Sequence, residues 1–196
     1  MPDRDVRTIR DLIYYQYSKL ITRSAFAESD GKSANARHYG FIKQTFRDLQ
    51  AGRKNWSEIT REDWHLVESE ARCSYCGSPE NLQREHVVPR SLAIKPECST
   101  CHRLHDIHNQ VWGCRECNSS KGFHGLYEYF HLRYAMEKRF FDFIPPLVEK
   151  KYLKTIFYCH RCAGTLDGGD LDGDGEISVL DIDYIIHRGE AASSIR

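Results

Sequence analysis

Cys73-Ser-Tyr-Cys76, then Arg84-Glu85-His86-Val-Val-Pro89, then His108-Asn109-Gln-Val-Trp-Gly-Cys114-Arg-Glu-Cys117-Asn118-Ser-Ser-Lys121-Gly122, are three pieces of the one stretch whose reading decides the fold. Two Cys-x-x-Cys pairs bracket an acidic-His dipeptide, and an Asn follows directly on the last Cys. A two-residue gap lets both thiolates of a knuckle reach one tetrahedral ion, so Cys73, Cys76, Cys114 and Cys117 form a closed, structural zinc set. Between these anchors lie the parts of a second, open metal site. Glu85 is a hard oxygen ligand, Asn118 offers an amide oxygen, and His86 is a base able to deprotonate water.

The arrangement resembles the HNH endonucleases, the zinc-ribbed branch of the ββα-metal nucleases. Glu85-His86-x-x-Pro89 resembles the family's acidic-His-x-x-Pro strand, and Asn109 stands five residues before Cys114, where the family has its middle Asn. Cys117-Asn118 then runs into Lys121-Gly122 at the family's helix-start spacing. Glu rather than Asp at 85, and a long interval between His86 and Asn109 holding a further Cys pair, are departures. The match covers about a quarter of the chain.

The resemblance implies a catalytic set of His86, Glu85, Asn109 and Asn118. Glu85 and Asn118 would hold Mg²⁺ or Mn²⁺, His86 would act as general base, and Asn109 would orient the His86 ring or its loop. Lys121 is a candidate phosphate contact, and DNA is the implied substrate. Two rival readings are a non-catalytic zinc-stabilised module that binds nucleic acid, and a calcium-dependent interaction protein. One active site per chain implies either nicking or a homodimer.

Outward from this core, the fold expected is α+β and mainly helical: a small ββα-metal core with zinc knuckles, braced by helices on both sides. The divisions are 1–70 (helical), 71–123 (nuclease core), 124–165 (C-terminal helices and a further Cys pair) and 166–196 (a calcium-binding loop and helix). Val6, Ile9, Leu12, Ile13, Tyr17, Leu20 and Ile21 recur at helical spacing and predict a helix over 3–26. Ser29-Asp30-Gly31 is a turn, a second helix spans 33–50, and Thr60 with Glu62 and Asp63 starts a short third one. Strands are expected over 82–89 and 109–114, with a helix from Arg115 to Lys121 crossing them so that His86 and Asn118 share a cleft. Residues 123–158 read as helical and aromatic-rich, interrupted at Pro145-Pro146.

The eight cysteines all fall in Cys-x-x-Cys pairs, which fits metal binding in a reducing compartment better than disulfides. Cys98, Cys101, Cys159 and Cys162 are therefore assigned to a second structural zinc, with His102 or His160 able to replace a thiolate. No apolar run approaches the ~20 residues that cross a bilayer, and the charged N-terminus lacks a secretory h-region. The expectation is a cytoplasmic protein without a membrane partner.

The net charge of zero conceals an asymmetry: residues 1–165 carry 26 Lys and Arg against 20 Asp and Glu, whereas 166–196 carry 2 against 8. In that acidic tail, Asp170, Asp172, Asp174 and Asp181 occupy positions 1, 3, 5 and 12 of a calcium loop, with the Glu176 carbonyl at position 7 and Gly175 at the sharp turn. Asp at position 12 and no entering helix resemble a dockerin-type segment. Dockerins carry two such segments and this chain has one, which speaks against a cohesin-type partner. Ile182, Ile185 and Ile186 of the following helix, Val179–Arg188, would face the body or a second subunit.

Overall fold

In the computed structural model, the residues described are 4–26, 32–55, 71–90, 92, 104–137 and 140–187. The third helix expected near Thr60 lies outside them. Among these residues the fold is a mainly helical α+β arrangement of six α-helices and one two-stranded antiparallel sheet.

Helix α1 spans Ile9–Ala25, and the Thr8 side chain caps it by accepting from the Asp11 N–H. Helix α2, Lys32–Gln50, packs along α1, with Phe46 and Leu49 turned into the core. Strand β1, Leu82–His86, pairs with β2, Gln110–Cys114, in a register that sets Arg84 opposite Trp112, Glu85 opposite Val111 and His86 opposite Gln110. Helix α3, Arg115–Lys121, follows β2 directly.

Strand β1 is three residues shorter than the expected 82–89. Beyond His86 the ladder gives way to Asn109, whose backbone carbonyl accepts from Val87 N–H while its side chain brackets Val88. The aromatic stretch resolves into α4, Leu126–Arg133, a 3-10 turn at Phe140–Phe143, and α5, Pro146–Ala163, with a proline in its first turn. Tyr127, Tyr129, Phe130, Phe140 and Tyr152 are buried, so most of this aromatic density is core. No described helix is long and apolar enough to cross a membrane.

The acidic tail is built into the same core. Leu166, Ile182 and Ile185 are buried in the one apolar cluster that also holds Ile9, Leu12, Tyr127 and Tyr152, and Ile186 packs on its edge. The final helix, α6, spans Leu180–His187 and lies on α4, α1 and α5. Two helix starts depend on this tail. The Leu166 and Gly168 carbonyls accept from the Arg10 and Ile9 N–H groups at the head of α1, donors that would otherwise have no partner within the helix.

Helix α4 has no cap from its own sequence, because its N-cap is Gly125. Its Glu128 N–H is instead taken by the buried Asp183 carboxylate of α6, which also accepts from Tyr152 Oη. A Cβ on residue 125 would clash with that carboxylate, so only glycine fits there.

Glu149 on α5 ties three helices together. It accepts from Tyr127 Oη of α4 at 2.8 Å and lies 3.9 Å from the Arg23 guanidinium of α1, while its second oxygen has no hydrogen bond. Burial pushes its carboxyl up to about 7, against the hydrogen bond from Tyr127 and the charge of Arg23. A carboxyl raised in the fold stabilises fully below its unfolded pKa, and that stabilisation is lost as pH rises through about 7. Glu149→Gln should therefore gain on the wild type as pH climbs from about 5 to 8 in urea denaturation. A stability difference that stays constant across that range would mean that the buried carboxyl holds no proton.

Candidate active site and zinc centre

The four thiols of Cys73, Cys76, Cys114 and Cys117 come together, with all their sulfur atoms within 4.8 Å of one another. Cys73 and Cys76 sit on a tight turn closed by the Gly77 N–H bonding the Cys73 carbonyl, whereas Cys114 ends β2 and caps α3 by accepting from Cys117 N–H. A tetrahedron with Zn–S bonds of about 2.3 Å has edges of about 3.8 Å, and the Cys76–Cys114 sulfur separation is 3.8 Å. Burial pushes the Cys73 thiol up, but hydrogen bonds from the backbone of Cys114, Tyr75 and Cys76 more than offset this and bring it down to about 7. Arg133 of α4 places Nη1 3.5 Å from Cys117 Sγ and 2.7 Å from Tyr129 Oη, adding a cation beside the thiolate cluster. The donor set and its spacing fit a structural zinc ion.

The remaining site residues divide between the two faces of the ribbon, because successive strand side chains point to opposite sides. Glu85 faces inward and is buried. One of its oxygens accepts from Tyr75 Oη at 2.5 Å and the other lies 2.9 Å from Lys121 Nζ. Gly113 leaves room for it, since a Cβ there would stand 3.1 Å from the Glu85 Cβ. Lys121, expected at a phosphate, is fully buried. Its ammonium also donates to the His86 carbonyl at 3.1 Å, which locks the end of α3 to the end of β1. Neither Tyr75 nor this ion pair was anticipated from spacing, although Tyr75 stands inside the first knuckle and Lys121 at a fixed offset from the second.

His86 lies on the outer face with Gln110, whose amide is 3.4 Å from His86 Nε2. Burial first, then the charges of Arg90, His105 and Lys121, hold its imidazole below the usual histidine range. It is therefore neutral, and able to take a proton, at neutral pH. Asn109 is fully buried. Its amide donates to the Val88 and Leu104 carbonyls and its Oδ1 accepts from Val88 N–H, each at 2.8 Å. Asn109 thus fixes the chain after His86 rather than touching the ring. Asn118 is half-buried on α3, one turn before Lys121 and on the same side of that helix.

For a catalytic divalent ion the fit is partial. Asn118 is within reach of solvent, but the Glu85 carboxylate is held by Lys121 and Tyr75 and would have to exchange the ammonium for the metal.

Of the second cysteine set, Cys98 and Cys101, with His102, lie outside the described residues. Cys159 and Cys162 fall in the last turn of α5 rather than on a knuckle. Cys159 is buried and Cys162 is disulfide-bonded. His160 has both ring nitrogens engaged, by Thr165 Oγ1 at 2.9 Å and the Ile182 carbonyl at 3.0 Å, which leaves none for a metal as it stands.

In the tail, carboxylate oxygens of Asp170, Asp172 and Asp174 come within 4.8 Å of one another on the surface. Asp181, by contrast, is buried and accepts from the Leu171, Asp172 and Ser178 N–H groups. The Glu176 N–H donates to the Asp174 side chain.

Comparison with protein-family models, with curated proteins and with solved structures finds no match for this chain. Fold and site together define a mainly helical α+β protein carrying a Cys₄ cluster compatible with structural zinc.

The zinc assignment has a direct consequence. Purified protein should hold one zinc ion at this centre. Cys117→Ser should lose it and, with it, the cooperative thermal transition, because binding free energy at such a site is folding free energy. Chelation of the wild type should reproduce the loss. A melting temperature indifferent both to the chelator and to Cys117→Ser would overturn the assignment.

Proposed function

We propose that the chain is a zinc-stabilised endonuclease of the HNH type that hydrolyses phosphodiester bonds in DNA. The reading rests above all on His86: a neutral, half-buried imidazole at the end of β1, beside Arg90 and His105, with its backbone held by Lys121 and the following loop by Asn109. A base so fixed accepts a proton from water as the oxygen attacks phosphorus. The bond from phosphorus to the 3′-oxygen then breaks, and that oxygen takes a proton from solvent. A Mg²⁺ or Mn²⁺ ion held through Asn118, with Glu85 once it is released from Lys121, would supply charge neutralisation at the phosphate when bound. Lys121 then acts as a support for the strand end, and the cations around His86 are the groups that a polyanion would meet.

Plasmid nicking with Mg²⁺ or Mn²⁺ tests this. His86→Ala should cut the rate by about 10²-fold or more while zinc content and DNA binding stay as in the wild type. Cleavage by His86→Ala at the wild-type rate would remove His86 from the chemistry. A wild-type chain that binds DNA but nicks it with neither metal would instead be a non-catalytic zinc module.

We further propose that the tail loop takes Ca²⁺, on the gathering of Asp170, Asp172 and Asp174, with the Glu176 carbonyl and Asp181 as the further ligands the sequence pattern would supply. Three carboxylates this close repel one another, and a divalent cation relieves the repulsion. Calcium should raise the melting temperature of the wild type and leave that of Asp174→Ala unmoved. Calorimetry that detects no calcium binding would reduce the loop to an acidic surface.

A further inference from the structure

Arg84 stands two residues before His86 on the same strand, and so on the same face of the ribbon. It is exposed, and its guanidinium carbon lies 4.2 Å from the ring centroid of Trp112, its partner directly across the ladder. Among the described residues no carboxylate pairs with it. The one acidic residue of β1, Glu85, is turned to the other face and consumed by Lys121 and Tyr75.

Stacking uses only the flat face of a guanidinium. Its N–H donors lie in the plane, in the fork geometry that suits two oxygens of a phosphate, and a ring packed on the face does not use them. Trp112 therefore holds ready a cation whose hydrogen-bonding groups have no partner among the described residues.

We infer that Arg84, pre-set by Trp112, is a phosphate clamp that seats a nucleic-acid strand across the outer face of the ribbon beside His86. This rests on the nuclease reading for the role of His86, but the binding it describes can be measured without cleavage. Two strand residues separate Arg84 from His86 by about 6.6 Å. A duplex strand carries one charge per about 3.4 Å of axis. Whenever one phosphate lies at His86, a near neighbour lies within reach of the Arg84 fork. Arg90, which acts electrostatically on the His86 ring, is a second cation near it. Arg84 is a positioning residue in this scheme, because it touches a phosphate that is not the one cleaved.

The test is fluorescence anisotropy of a labelled DNA duplex bound to the His86→Ala protein in Mg²⁺, over a series of salt concentrations. Adding Arg84→Gln should weaken binding about ten-fold and lower the slope of log affinity against log salt by about one. Arg84→Lys should restore the slope, since the charge returns, but not the affinity, since the fork and the stack do not. Zinc content and melting temperature should be unchanged, as Arg84 is exposed. In the cleaving wild-type background, Arg84→Gln should raise KM and leave kcat nearly as it was.

An Arg84→Gln protein with wild-type affinity, salt slope and KM overturns the inference even where the chain cleaves DNA. Conversely, an Arg84-dependent loss of affinity sustains it even where His86→Ala fails to slow cleavage. If polyglutamate binds in an Arg84-dependent manner and the duplex does not bind, the face belongs to an acidic protein partner and the inference falls.

Discussion

The ion pair between Glu85 and Lys121 is the contact on which the rest of the site depends. Both groups are withdrawn from water, and moving an ion out of water costs several kcal/mol even after the surroundings relax. Such a pair persists only where each remaining lone pair and proton finds a partner. Here the second Glu85 oxygen takes Tyr75 Oη, and the Lys121 ammonium takes the His86 carbonyl. Four groups from three segments are thereby joined: the knuckle that carries Tyr75, the end of β1 and the end of α3. The thiol cluster joins the knuckle to α3 again at its own corner, with two sulfur atoms on the knuckle and two at the junction of β2 and α3. A two-stranded ribbon alone is marginal in water. Held at these two points, its crossing helix has a single seat, and Asn118 is placed by that seat.

Strand alternation then gives the two faces different tasks. Glu85 and Val111 look inward, and the inward face is satisfied within the protein. His86, Gln110, Arg84 and Trp112 look outward, and the outward face is left with a neutral base and a stacked cation. The adjacent residues of the Glu85-His86 dipeptide are separated by the pleat itself, so a metal shared between them would require Glu85 to leave the partners that hold the ribbon to the helix. The buried pair is both a brace and an obstacle.

How much of this could be read from the sequence follows the range of the forces involved. Helices α1 and α2, the ribbon, α3 and the Cys₄ cluster were all legible, because periodicity and two-residue cysteine gaps are local signals. The length of β1 was not. Its ladder ends where Asn109, twenty-one residues away, substitutes a side chain for a strand partner. The destination of Lys121 was not legible either: its offset from Cys117 was plain, but its burial depends on the angle at which α3 crosses β1. Nothing local marks Tyr75, inside a knuckle, as the donor to Glu85. His160 was weighed as a substitute ligand because it lies between two cysteines, whereas a helical turn directs it instead to Thr165 and Ile182.

The tail shows how one residue type serves two ends. Its carboxylates divide by position. Asp170, Asp172 and Asp174 face outward, while Asp181 and Asp183 are buried, Asp181 accepting from backbone N–H groups and Asp183 from the Glu128 N–H and Tyr152 Oη. Asp181 closes the loop on itself, and Asp183, two residues further along α6, starts α4. The carbonyls of Leu166 and Gly168, just ahead of the loop, hold the first turn of α1. The loop is therefore suspended between two anchors in the body of the protein. An ion bound by the outward carboxylates would add stiffness at a point connected through backbone hydrogen bonds to α1 and through Asp183 to α4. Helix α4 also carries Arg133 to the thiol cluster. The acidic segment thus belongs mechanically to the same framework that positions the ribbon.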